Sequence, residues 1–438
     1  MKSLRKMSSP VRPEVGNEEY LVKNEGIGGK LRIIPEDFEV LEFIETNTSP
    51  HWAWAQEKKD GRHCIVKITS KNWDTHMLVK EISKKLGIGQ RAIGFAGTKD
   101  KRAVSTQYMS LMGPTERIKK LEIDNVELEF IHRTVKPIRL GNLIGNKFKI
   151  RITGTNGDKN KINEIIKQLD GGFPNYFGIQ RFGAVRPITH LVGKKIVRGD
   201  YQGAVWDYLT KDSSDVMGGE ARASLRKNRD WKDALEKFPY NLLFERQLIG
   251  HLSRNQDDYI GALGQLPENL SKMLVHGYQS LIFNRVLDQR IREGIDIKRP
   301  QIGDNVIPAD NYGGPDQRKI IKVTERNHAK LEKRCGEGKA WVAGLLPGAR
   351  SEYTGGVQGD IEETVMNEEN IGFKNFIIED MPELTSLGMY RPLHQNMNEL
   401  EWEFDEGGNP VFDFWLHKGT YATSFLREIM KCEDMRAY

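Results

Sequence analysis

Asp100 sits within Gly94–Gln107 (GFAGTKDKRAVSTQ), with Lys99 before it and Lys101 and Arg102 after it. A carboxylate set among cations is kept as the anion that a nucleophile needs. The same cations offer contacts to the phosphates of an RNA strand. The plainer reading is an exposed charged turn, which on residue type alone is the commoner arrangement. A second segment, Asn175–Gly183 (NYFGIQRFG), packs three aromatics, the amides Asn175 and Gln180, Arg181 and two glycines into nine residues. Aromatic faces beside amide and guanidinium donors are suited to holding a base outside its stack. A tight turn whose aromatics fill a core explains the same composition. Thirdly, Pro35–Phe38 (PEDF) brings acids and an aromatic close to Arg32. An arginine so placed can pair with a catalytic carboxylate, or simply with a surface acid.

Other short patterns lead nowhere. Gly26–Lys30 (GIGGK) continues into Leu31 and lacks the Ser/Thr and spacing of a P-loop, and Gly336–Lys339 fails likewise. Gly87-Ile88-Gly89 follows a helical pattern, the wrong context for a dinucleotide fingerprint. Cys64, Cys335 and Cys432 are remote from one another, which argues against a disulfide scaffold and a structural zinc. His63 beside Cys64 belongs to an alternating strand, where neighbours face opposite ways.

The surrounding patterns say what positions the Asp100 loop. His63–Ser70 has a strand period. Asp74 or Thr75 then caps a helix carrying Leu78, Val79, Ile82 and Leu86 on one face and stopping at Gly87. Ala92–Ala96 and Thr106–Met112 read as strands flanking the loop, and Leu31–Phe43 as short extended pieces. Phe148–Ile152 is strand-like, and a helix through Ile162, Ile165, Ile166 and Leu169 ends at Gly171-Gly172. From about residue 190 to 295 the period is helical, most strongly over Leu270–Ile291, and a mixed stretch with a strand-like Lys319–Val323 follows. Strand habit returns in Leu400–Phe404 and Val411–Leu416 around Glu406-Gly407-Gly408-Asn409, a hairpin. A last helix, Thr420–Met430, has Thr420 as its expected cap and Arg427 and Glu428 solvated or paired. Three domains in series or one domain with an insertion both fit this order.

With 438 residues the chain is long enough for two or three domains, and 38% hydrophobic against 29% charged residues suits a packed core. The net charge of +5 permits an anionic partner without requiring one, so any nucleic-acid reading rests on local arrangement. No apolar run reaches the ~20 residues of a membrane span, and the first thirty residues carry no apolar segment of signal length. The expectation is a soluble, cytoplasmic protein of a reducing compartment, with no membrane association and no obligate protein partner.

Together these segments resemble the TruD-type pseudouridine synthases. GFAGTKDKRAVSTQ resembles the family's first signature and NYFGIQRFG its second. Ile34–Phe38 (IPEDF), Ile138–Phe148 (IRLGNLIGNKF) and Phe414–Ile429 (FWLHKGTYATSFLREI) are similar to three further motifs in the family's order, and Gly277–Arg290 (GYQSLIFNRVLDQR) to its long inserted helix. The resemblance implies an α+β fold: a pseudouridine-synthase-like catalytic domain with a mixed antiparallel sheet, interrupted by an inserted α/β domain. Residues 1–25 would be a polar lead-in, 26–190 and 390–438 the catalytic domain, and 191–389 the insertion. It further implies Asp100 as the nucleophile, with Phe38, Asn175 and Phe177 lining a uridine pocket and Arg32 where bacterial relatives carry a lysine. Gln180 joins the substrate-binding set, and Lys99, Lys101, Arg102 and Arg181 would lie near phosphates. The implied reaction turns uridine into pseudouridine in RNA, with tRNA position 13 the expected target. It imports no group and changes no oxidation state, so no cofactor or metal is expected. The rivals are an RNA-binding module of the same fold without catalysis, and a nucleotide-dependent enzyme.

Overall fold

The start and stop of the helix before the Asp100 loop follow from two residues. In the computed structural model, which describes residues 15–44, 57–183, 185–211, 217–434 and 437–438, this helix is α1, Thr75–Leu86. The Asp74 carboxylate accepts from the Met77 N–H at 2.9 Å, satisfying a donor that the first turn leaves open. At the other end Gly87 takes φ 64°, a left-handed conformation that costs glycine nothing. Leu78, Val79, Ile82 and Leu86 face inward and pack on a sheet face.

That sheet belongs to a unit made of Val22–Phe173, Gln395–Cys432 and Ala437–Tyr438. Its strands begin with β1 (Phe38–Ile44), β2 (His63–Lys71), β3 (Ile93–Phe95), β4 (Val104–Met112), β5 (Val126–Thr134) and β6 (Leu143–Arg151). Strands Asn398–Phe404 and Pro410–His417 complete it. Among the described residues the order runs Asn398–Phe404, Pro410–His417, β6, β1, β4, β2, β5, with β3 also on β4. The β1–β4 pairing is parallel and the others are antiparallel, so the sheet is mixed. β1 and β3 share one edge of β4, β1 at Val104–Thr106 and β3 at Met109–Leu111. Because Glu39 pairs with Val104, the loop before β4 emerges at the Phe38 end of β1.

Alternation along β1 buries Phe38, Val40, Glu42 and Ile44 while Glu39, Leu41 and Phe43 face out. Three of the inward four are the expected apolar residues, and the fourth is a carboxylate. The hairpin turn closes on Asp405, whose Oδ1 accepts from the N–H groups of Gly407 and Asn409 at 3.0 and 2.8 Å. The last helix is Ala422–Met430, entered through Tyr421. Thr420 is therefore not its cap: it stands outside the first turn, and its buried hydroxyl has no hydrogen-bond partner. Arg427 and Glu428 are buried and paired at 3.3 Å, and Glu428 Oε2 accepts from the Val22 N–H at 3.1 Å. β5 carries a strand alternation that the sequence reading passed over.

The second unit comprises Pro174–His394 with the described residues before Val22 and Glu433 and Asp434. Its axis is the helix Glu268–Arg292, buried along most of its length because other elements wrap it. Strands Met389–Pro392, Ala340–Leu346, Asn305–Pro308 and Ile321–Lys322 form, in that order, an antiparallel sheet. Ala340–Leu346 is buried throughout, a continuous apolar run with no alternation to mark it as a strand. Arg290 and Asp304 pair inside this unit through two bonds of 3.1 and 2.8 Å.

Candidate active site

Asp100 lies in the loop between β3 and β4 with its side chain 58% exposed. Its Oδ2 accepts from Arg32 Nη2 at 3.0 Å. The same guanidinium lies over the Phe38 ring, its carbon 4.0 Å from the ring centre. Arg32 is thus held on one side by an aromatic face and presents its edge to the carboxylate, using both features of a planar cation. Its backbone sits at φ 58°, a conformation that costs an L-residue about 1–2 kcal/mol. The neighbouring chain keeps it there: Lys30 exchanges backbone hydrogen bonds with Thr153 at 2.9 and 3.1 Å, and the Leu31 N–H donates to Ala437. The acids of Pro35–Phe38 go elsewhere. Glu36 pairs with Lys71, and Asp37 pairs with Arg151 at 3.1 Å while accepting from the Ile34 N–H.

The cations beside Asp100 divide into two kinds. Lys101 and Arg102 are exposed, as a phosphate contact requires. Lys99 is not: its side chain is 5% exposed and donates to Glu42 Oε2 at 2.6 Å, with Glu42 fully enclosed. This differs from the expectation that Lys99 lies near a phosphate, and the cause is the inward carboxylate on β1. A buried carboxylate left alone would be costly, and the nearest cation turns in to meet it. Glu42 Oε1 also accepts from the Tyr108 N–H at 3.3 Å. Burial pushes the Glu42 carboxyl up from its ordinary range, opposed by the Lys99 ammonium and these hydrogen bonds. The Lys99 N–H donates to Thr75 Oγ1 at 2.8 Å, so the loop is also tied to the first residue of α1.

Asn175, Phe177, Gln180 and Arg181 fall in the second unit and form a cluster of their own. Asn175 is fully buried; its amide donates to the Pro392 carbonyl at 2.9 Å and accepts from Arg391 Nη2 at 2.6 Å. Its side chain is thereby committed to holding its own turn. Phe177 is buried with the Arg391 guanidinium 4.1 Å from its ring centre, Phe283 edge-on at 5.6 Å and Arg181 at 5.6 Å. Arg181 Nε donates to Ser280 at 3.0 Å, and Gln180 is half-buried with an unpartnered carbonyl oxygen. Asn284 grips the Phe177 backbone from both sides, accepting from its N–H at 2.8 Å and donating to its carbonyl at 3.0 Å. The same unit holds a polar cavity of about 360 Å³ beside His190, Lys194, Arg285 and Arg292. There Lys194 and Arg285 pair with Glu369, and Arg292 with Asp288.

The family described as tRNA pseudouridine synthase D (TruD) matches residues 14–429. The chain belongs to the TruD family. Enzymes of this family are isomerases that convert uridine to pseudouridine in tRNA. A relative from Methanococcoides burtonii named "Probable tRNA pseudouridine synthase D" is 37% identical over 97% of this chain and 98% of its own length. One of the same name from Thermococcus sibiricus is 37% identical over 95% and 98%. A TruD crystal structure from Methanosarcina mazei superposes with a TM-score of 0.81, at 36% identity, covering 97% of this chain and 98% of that one. The α+β reading of the fold is borne out by this likeness.

Within this TruD chain, the sequence reading missed Glu42, Thr75, Asn284 and Arg391. Glu42 carried a signal, since it stands in the apolar phase of β1's alternation. Arg391 carried none: it meets Asn175 from 216 residues away. Among the described residues no helix is long and apolar enough to cross a membrane, and no three His, Cys, Asp or Glu side chains gather as metal ligands.

Proposed function

We propose that this chain isomerises uridine to pseudouridine in tRNA with Asp100 as nucleophile, and that its target is the uridine at position 13. The observation that carries this reading is the pairing of an accessible carboxylate with Arg32, itself seated on the buried Phe38 ring. A carboxylate so oriented is directed at a reacting carbon without needing to search for its rotamer. Asp100 attacks C1′, or removes a proton first to give a glycal. In either course the N1–C1′ bond breaks and the uracil leaves as an anion. The base turns and C5 bonds to C1′, as the Asp100–C1′ bond breaks on the first course or as Asp100 returns the C2′ proton on the second. The C5 proton then departs and N1 is protonated. Every atom of the substrate is present in the product, so the balance needs no imported group.

A base within a duplex is out of reach, so the target is flipped or already unpaired. Phe38 and Phe177, each within its own unit and each beside an arginine, are the kind of aromatic face on which an extruded pyrimidine packs. Lys101 and Arg102 are the exposed cations nearest in sequence to Asp100, and we assign them to RNA phosphates. Work on tRNA is consistent with a cytoplasmic place of action. The direct test incubates the pure protein with unmodified tRNA and maps pseudouridine chemically, beside Asp100→Asn. Product at position 13 with wild type and none with Asp100→Asn is expected. Turnover by Asp100→Asn removes the nucleophile assignment, and product at another position moves the target.

A further inference from the structure

We propose that the buried Glu42–Lys99 ion pair is a positioning device for the nucleophile, rooted in the same strand face that carries Phe38. This rests on the reading of Asp100 given above. Lys99 directly precedes Asp100, and two of its groups are anchored: the ammonium on Glu42 at 2.6 Å and the backbone N–H on Thr75 Oγ1 at 2.8 Å. Both anchors are buried, Glu42 on β1 and Thr75 at the head of α1. Fixing Lys99 at two points leaves the next residue little freedom in the direction of its Cα–Cβ bond. The Asp100 side chain is then met by Arg32, which is seated on Phe38.

Phe38 and Glu42 lie on the same inward face of β1, four residues apart. One strand therefore anchors both arms: an outer arm through Phe38 and Arg32 to the carboxylate, and an inner arm through Glu42 and Lys99 to the backbone. Stability alone does not account for the inner arm. Enclosing two charges costs desolvation, and a well-packed apolar pair at such a place commonly serves the fold as well or better. A charged pair adds a fixed direction and length, which a methylene contact lacks. The parallel β1–β4 register, with Glu39 opposite Val104, brings the loop back over this face.

The test compares wild type, the double variant Glu42→Gln/Lys99→Met and the single variant Thr75→Val, with Asp100→Asn as baseline. Single-turnover rates are measured with enzyme in excess over unmodified tRNA, tRNA affinity by filter binding, and folding by circular dichroism. A positioning role predicts a rate constant lower by on the order of ten- to a hundred-fold in both variants. The tRNA dissociation constant stays within about two-fold, because the inner arm touches no substrate. A folded double variant that turns over at the wild-type rate overturns the proposal. So does a loss of tRNA affinity as large as the loss of rate, which makes Lys99 a binding residue. If the double variant does not fold, Thr75→Val decides by the same two measurements. Absence of product from wild type on tRNA is a different failure, that of the Asp100 reading itself.

Discussion

Arg32 Nη2 stands 3.0 Å from Asp100 Oδ2 while its guanidinium carbon lies 4.0 Å from the centre of the Phe38 ring. One side chain thus joins the aromatic floor of β1 to the carboxylate of a loop 68 residues on. The joint is made by a residue in a left-handed backbone conformation, which a fold retains at a site more readily than elsewhere.

Replacing Arg32 separates stability from activity. In Arg32→Gly the φ of 58° becomes free of strain, which offsets the lost ring contact and the partly exposed ion pair. The melting free energy is expected within about 1 kcal/mol of wild type, while pseudouridine formation falls on the order of ten- to a hundred-fold. Arg32→Lys keeps the charge but loses the planar stack, so its rate should lie between the two. A thermal melt beside single-turnover kinetics checks all three proteins.

Asn175→Ala should act through the fold. It removes the side-chain acceptor of the buried Arg391 Nη2, which keeps the Asn175 backbone carbonyl at 3.2 Å, and the amide donor to the Pro392 carbonyl. A loss of about 2–4 kcal/mol in unfolding free energy is expected, from one charge-assisted bond at roughly 1.5–3 kcal/mol and one neutral bond at about 1 kcal/mol. Urea titration measures it, and an unchanged midpoint would contradict the committed role described for this amide.

Stability should fall on acidification through His190. Burial pulls its imidazole down to about 4, whereas an unfolded histidine titrates near 6.5. The unfolded chain therefore binds the extra proton between these values. The contribution is complete above about 6.5 and is lost as pH falls toward about 4, on the order of 3 kcal/mol in all. Melting His190→Leu across this range should give a shallower slope than wild type, whatever its absolute stability.

Asp304→Ala should be among the most destabilising single changes in the second unit. Arg290 is wholly buried and binds Asp304 through two bonds, with Gln358 and the Asp296 carbonyl completing its shell. Removing the carboxylate strands a buried cation, at a cost of about 3–5 kcal/mol. Replacing both residues by apolar ones of similar volume should recover much of that loss, and a double-mutant cycle on urea midpoints reads the coupling.

Local rules in the sequence were enough for the parts whose partners are near in the chain. Asp74, the stripe from Leu78 to Leu86 and Gly87 define α1 because capping and helical period act within a turn or two. The strand at His63–Lys71 and the hairpin at Asp405–Asn409 follow from alternation and turn chemistry in the same way. Asp100 in its basic loop was legible as well, since a charged turn between two strands needs no distant partner to be exposed.

What the tertiary structure alone decided is where each charge beside Asp100 points. Lys99, Lys101 and Arg102 are equivalent as letters, yet Lys99 turns inward because Glu42 is enclosed on a strand 57 residues away. Thr420 reads as a cap, and the chain instead enters its helix through Tyr421. Asn175 reads as a substrate donor, and Arg391 claims it from across the chain. Burial and pairing are properties of the assembled interior: a carboxylate's cost depends on what surrounds it, and those surroundings exist only once remote segments have packed.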